Sequence, residues 1–237
     1  MVSVRFQGRL NDFLPPEKRG TELEVTPLGS PAVKDLLESL GPPHPEMGEV
    51  RVDGALVEFG HRLAPGSRVE VFPSRGVVEG VPRFVLDVGL GRLSGFLRML
   101  GFDTLWRNDY RDDELARVSS SEARILLTRD IGVLKRGEVR LGYFPRATDP
   151  AEQLVEVVRR YGLGARMSPF SRCIACNAPL SPAAPHEVVG RVPEGVAERH
   201  TRFQQCPDCR RVFWAGTHQE RMQALVDRLR TLEVQEG

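Results

Sequence analysis

No cysteine occurs before position 173, and the four present, Cys173, Cys176, Cys206 and Cys209, all fall in the last third of the chain. A disulfide framework running through the molecule is therefore excluded. Lysine is nearly missing: Lys18, Lys34 and Lys135 stand among 33 basic side chains, the rest being arginine. Arginine suits planar phosphate contacts, and a GC-rich genome explains the same preference. Charge of one sign does not dominate, since the net charge is +1, so no global field recommends nucleic acid as a partner. Long apolar runs are absent, and nothing nears the roughly 18 residues of a membrane span. The N-terminal "MVSVRFQGRLN" alternates apolar and polar residues and lacks the continuous apolar core of a secretory signal. With 41% hydrophobic and 27% charged residues, the expectation is a cytoplasmic globular protein of one to three domains.

Period-two alternation marks "VSVRFQG" (2–8) and "TELEVTP" (21–27) as strands. Ser30 and Pro31 occupy N-cap and first-turn positions of a helix carrying Val33, Leu36, Leu37 and Leu40 on one face, which Gly41 closes. "EVRVDG" with "ALVEFG" (49–60) and "SRVEVFP" (67–73) supply further strands. Strand, strand, helix, strands is the order of a β-grasp fold. "SRGVVEGVP" (74–82) reads as a linker. Beyond it the pattern changes to strands alternating with helices: strand 83–89, a helix bearing Leu93, Phe96, Leu97 and Leu100, strand 103–108, helix 112–122, strand "RILLT", strand 139–144 and helix 149–163. That alternation predicts a parallel α/β sheet, whose ligands sit at the carboxyl ends of the strands.

Asp87 ends the first of these strands, and Asp130 follows "RILLT" by two residues. Asp112, Asp113 and Glu114 open the helix between them. Carboxylates gathered at one sheet edge repel unless a cation intervenes, and a hard divalent ion prefers oxygen donors. Each residue also has a structural reading: Asp112 as an N-cap, Asp113 and Glu114 at the positive helix end, Asp130 capping "IGVLKR", and Asp149 with Glu152 as a capping pair. Asp87 has no obvious structural partner.

"CIAC" (173–176) and "CPDC" (206–209) are two C-x-x-C pairs 29 residues apart. Four thiolates suit a closed, structural Zn²⁺ site, with a hairpin in "EVVGRVPEGVAERH" accounting for the spacing. His186, His200 and His218 are alternative donors, though four cysteines already complete a tetrahedral shell. Arg202, Phe203, Arg210, Arg211, Phe213 and Trp214 surround the second pair, so they either grip phosphates and stack on bases or pack the ribbon. Thr217 and Glu220 read as a capping box ahead of a stripe of Met222, Leu225, Val226 and Leu229, which serves either core packing or a dimer face.

The stretch "FVLDVGLGRLSGFLRMLGFDTLWRNDYRDDELARVSSSEARILLTRDIGVLKR" resembles the Mut-seven C-terminal ribonuclease family, a PIN-like fold. The resemblance rests on Asp87 with Gly91-Arg92-Leu93, Leu97-Arg98-Met99-Leu100-Gly101, Asp112-Asp113-Glu114-Leu115, Leu127-Thr128-Arg129-Asp130, "DPAEQL" and the paired C-x-x-C motifs. Ile131 and Val133 depart from the usual residues around Gly132. The first segment resembles the ubiquitin-like, sulfur-carrier-like module fused to that family. A carrier ends in a free Gly-Gly, whereas "VFPSRGVVEG" continues into further chain, so this resemblance implies fold and a binding role with an unidentified protein partner.

The family resemblance implies metal-dependent RNA hydrolysis leaving a 5′-phosphate and a 3′-hydroxyl. Asp87 and Asp130 would hold Mg²⁺ or Mn²⁺, with Asp113 third, Asp112 beside it and Asp149 a candidate fourth; Asp87, Asp112, Asp113 and Asp130 would form the catalytic set. Arg92 and Arg129 would contact phosphate or pair with those aspartates, and Arg210 and Arg211 would bind substrate. The expected architecture is α/β: a β-grasp module at 1–75, a linker at 76–82, a PIN-like parallel-sheet domain at 83–165, and a four-cysteine zinc ribbon with a terminal helix at 166–237. The alternatives are an inactive RNA-binding or adaptor protein and a sulfur-transfer partner.

Overall fold

The computed structural model describes residues 1–232, apart from the side chains of residues 217–219 and 221. The first segment comprises β1 (Val2–Phe6), β2 (Leu23–Val25), α1 (Val33–Leu40), β3 (Met47–Val52), β4 (Ala55–Leu56) and β5 (Arg68–Pro73). Strand order is β2-β1-β5-β3-β4, with β1 parallel to β5 and the other pairings antiparallel. This is a β-grasp sheet, as the alternation predicts. Val2, Val4 and Phe6 point inward from β1 and meet Val33, Leu36 and Leu37 of α1 in one core with Val50, Val69 and Val71. Each such fully buried side chain contributes about 1.5–3 kcal/mol. The expected Ser30 cap is corrected: Ala32 is the N-cap, and the Ser30 hydroxyl donates instead to the Leu63 carbonyl at 2.8 Å. Gly41 does close α1, at φ 144°, where an added Cβ would lie 2.6 Å from the Phe13 carbonyl oxygen.

The α/β part runs β6 (Phe84–Leu86), α2 (Gly91–Met99), β7 (Thr104–Trp106), α3 (Asp112–Ser121), β8 (Ile125–Leu127), α4 (Ile131–Leu134), β9 (Gly142–Tyr143) and α5 (Pro150–Tyr161). In one compact unit β6 pairs in parallel with β7, and in the other β8 pairs in parallel with β9. All three residues of β6 and of β8 are buried, which is why these strands read as continuous apolar runs and not as alternation. Last come β10 (Ser181–Ala183), α6 (Pro185–Val188), α7 (Val196–Arg199), β11 (Phe203–Gln205), β12 (Val212–Trp214) and α8 (Thr217–Arg230), the three strands forming an antiparallel ribbon.

Two compact units result. Among the described residues, Met1–Val77 joins Tyr110–Pro145 in one, and Val78–Asp109 joins residues 146–232 in the other. In the first unit α4 and β9 pack directly against the β-grasp segment. Gly142 of β9 sits so close that an added Cβ would meet Leu134 at 2.7 Å and Pro45 at 3.3 Å. Buried His44 places one ring nitrogen 2.8 Å from the Glu38 carboxylate and the other 2.7 Å from the Val139 carbonyl, and the Lys135 ammonium donates to the Glu38 carbonyl. In the second unit Phe84 of β6 meets Phe102 and Tyr161 edge-on, which ties β6 to the turn after α2 and to the end of α5. Val226 and Leu229 of α8 are fully buried, so the terminal stripe serves core packing.

Candidate metal centre and acidic site

The four cysteines converge. Their sulfur atoms all lie within 4.8 Å of one another, with Cys173 and Cys176 on one turn and Cys206 and Cys209 on the other. The Cys173–Cys209 and Cys176–Cys206 sulfur separations are 3.5 and 3.3 Å, far beyond a disulfide bond. Each turn follows the same rule. The residue after its second cysteine, Asn177 or Arg210, has left-handed φ (74° and 64°), and its amide donates to the carbonyl of the first cysteine at 2.9 and 3.1 Å. Asn adopts that conformation readily and Arg at a cost. Burial pushes the Cys173 thiol up to about 12, so the apo site favours the protonated form, and a bound cation reverses that preference by taking the thiolate. An all-sulfur donor set fits a borderline-soft ion.

Residues not anticipated from the sequence fasten the first turn to the α/β part. Arg98, buried on α2, donates to the Thr104 carbonyl at 2.9 Å and to the carbonyls of Ile174 and Ala175 within "CIAC" at 3.2 and 2.9 Å. Asn177 accepts from the Thr104 amide at 3.0 Å and donates to Asp103 at 2.7 Å. Gly101, at φ 94°, lets Ser168 approach: an added Cβ would lie 2.1 Å from its carbonyl oxygen. The hairpin expected between the cysteine pairs is corrected to the helices α6 and α7. Pro185 opens α6 and the Glu187 carboxylate accepts from the Ala184 amide, so local capping favours a helix. Val188, Val196 and Phe203 form the ribbon core with Trp214 against it, so Trp214 packs the ribbon. Arg210 and Arg211 are exposed, and the Arg191 guanidinium donates to the Arg210 carbonyl. His186 and His200 lie outside the sulfur cluster; the side chains of Thr217 and His218 lie outside the described residues.

Asp87 and Asp130 repeat one local device. Each follows a buried three-residue strand, and each turns an oxygen back onto the next helical turn. Asp87 accepts from the Val88 amide at 2.6 Å, beside Trp106, whose indole nitrogen donates to the Val88 carbonyl at 3.1 Å. Asp130 uses one oxygen for the amides of Gly132 and Val133, at 2.7 and 3.2 Å. Its second oxygen makes no hydrogen bond among the described residues, and the residue is exposed. Asp113 is exposed in the first turn of α3, 3.3 Å from Arg111. Asp112 is corrected from N-cap to first helical residue, because Arg111 takes the cap position. Asp149 caps α5 through the amides of Ala151 and Glu152, at 2.9 and 3.1 Å. Arg92 is exposed on the first turn of α2. The Arg129 guanidinium lies 5.9 Å over the Phe144 ring.

Asp112, Asp113 and Asp130 belong to the first compact unit, Asp87 and Asp149 to the second. Among the described residues the cysteine quartet is the group of three or more candidate ligands whose donor atoms lie within 4.8 Å of one another. The donor set of the carboxylates, all oxygen, fits a hard cation. Among the described residues no helix is long and apolar enough to cross a membrane.

Comparison with known families gives two matches in chain order. Residues 1–78 match the Mut7-C ubiquitin model, and residues 82–226 match the Mut7-C RNAse domain. No curated protein and no solved structure gives a significant match.

Proposed function

This chain belongs to the Mut7-C RNAse family, and we propose that it hydrolyses RNA phosphodiester bonds with the aid of Mg²⁺ or Mn²⁺. The observation that carries this reading is the repeated strand-end aspartate. Asp87 and Asp130 each follow a buried parallel strand at its carboxyl end, where α/β sheets bind their ligands, and Asp130 keeps an oxygen available. Asp87, Asp113 and Asp130 would hold the ion, with Asp149 as a fourth donor and Asp112 within the catalytic set. A bound hard cation lowers the pKa of a coordinated water and offsets charge on the phosphate. Arg92 and Arg129 neutralise the scissile phosphate, and Arg210 and Arg211 hold flanking phosphates of the strand. The cysteine quartet holds Zn²⁺ in a structural site. The domain boundaries proposed with this reading are 1–75, 76–82, 83–165 and 166–237, and the site of action is the cytoplasm.

The test is cleavage of labelled RNA by the full chain with Mn²⁺, with and without chelator, against Asp87→Asn and Asp130→Asn. Cleavage that needs the metal and both aspartates supports the reading. A folded wild type that binds RNA without cutting it would assign the chain instead to an inactive adaptor.

A further inference from the structure

The structure also points to a role for the N-terminal module that rests on the reading of Asp130 as a metal ligand. Glu46 belongs to the β-grasp segment and is fully buried. A carboxylate so placed needs partners. It has Arg9 at 3.6 Å, and it accepts from the Phe144 amide, 98 residues away, at 2.8 Å. Phe144 directly follows β9. One residue before it, the Tyr143 carbonyl accepts from the Thr128 amide at 3.3 Å. Thr128 is fully buried, and its hydroxyl oxygen accepts from the Asp130 amide at 2.9 Å. The Phe144 side chain carries a second connection. Its ring meets Phe13 of the module edge-on at 5.6 Å, and it also carries the Arg129 guanidinium over its face.

We infer that the ubiquitin-like module is a positioning element for the metal-holding segment. Glu46 is a positioning residue that fixes Asp130 through Phe144, Tyr143 and Thr128, and Phe13 fixes Arg129 through the Phe144 ring. Every link lies within one compact unit. Groups behind metal ligands set the ligands' orientation, and their loss weakens binding or activity by about 10- to 100-fold. The partner of the module is thus, at least in part, the nuclease half of its own chain.

The experiment measures Mn²⁺ affinity and amide hydrogen exchange on the zinc-loaded full chain. Glu46→Ala and Thr128→Val should each weaken Mn²⁺ binding about tenfold and speed exchange of the Asp130 amide. Glu46→Gln keeps an acceptor oxygen for Phe144 and should bind Mn²⁺ much nearer to wild type. If Glu46→Ala fails to fold, Glu46→Asp carries the same expectation, since it retains charge beside Arg9 but falls short of the Phe144 amide. Wild-type affinity and unchanged Asp130 protection in both the Glu46 and the Thr128 variants would overturn the inference and leave the ribonuclease reading standing. A folded wild type with no Mn²⁺ binding would overturn both, and that result is visible before any variant is made.

Discussion

Asp130 caps α4 with one oxygen, and the proposed function gives the other oxygen a metal to hold; substitution separates the two. Asn at an N-cap accepts nearly as well as Asp, so Asp130→Asn should leave the melting temperature almost unchanged while reducing Mn²⁺-dependent RNA cleavage on the order of 100-fold. Asp130→Ala should lose cleavage equally and in addition about 1 kcal/mol of stability, which thermal melts of the two variants will resolve. Glu38 offers a pH handle. Burial raises its carboxyl, but hydrogen bonds and charge from His44, with charge from Lys34, hold it below the ordinary glutamate range. A carboxyl depressed on folding stabilises above its unfolded pKa, and that contribution is lost as pH falls through the folded value. Glu38→Gln should therefore flatten the stability profile below about pH 4.5, as urea melts between pH 3 and 6 will show. The strand-end position of Asp87 and Asp130 was legible in the sequence because burial of a short strand leaves an apolar run that stops at a charge. Glu46 and Arg98 were not legible. Their partners lie 98 and up to 77 residues away, and one sequence carries no signal of such pairing.

At the level of elements, strands and helices with strong periodicity were found where apolar spacing places them. Boundaries moved where side-chain chemistry decided: Ser30 found a carbonyl across the fold instead of the first turn of α1, and Arg111 displaced Asp112 at the start of α3. Between the cysteine pairs, glycines and a proline suggested a hairpin, yet Pro185 and Glu187 encode a helix start on a shorter range. The "CIAC" turn depends on α2 as well as on its own sequence. Arg98→Met keeps the buried stem but leaves the Thr104, Ile174 and Ala175 carbonyls without that donor. It should cost about 2–3 kcal/mol and accelerate metal release to a chromophoric chelator. Gly101→Ala should be at least as damaging, since it combines a left-handed φ with a contact to Ser168 that cannot form without backbone movement.

At the scale of the whole molecule, the ribbon has a poor core among the described residues, with Val188, Val196 and Phe203 as its buried members. A metal held by the four cysteines would therefore decide whether that part stays folded. Chelation should expose the 185–200 region to protease while the β-grasp segment remains resistant, and limited digestion followed by mass spectrometry will show the order of cuts. Deletion of residues 1–77 should leave Gly142 and Phe144 without their partners Pro45, Glu46 and Phe13, so the remainder should aggregate or lose its exchange protection around Thr128. One detail at the end of β5 has a wider meaning. Ser74 is held from both sides, its amide on the Glu46 carbonyl and its own carbonyl by Arg9. The start of the connecting segment is thus clasped by the module's own residues. The module travels with the α/β part of the chain in a fixed one-to-one ratio set by the peptide bond.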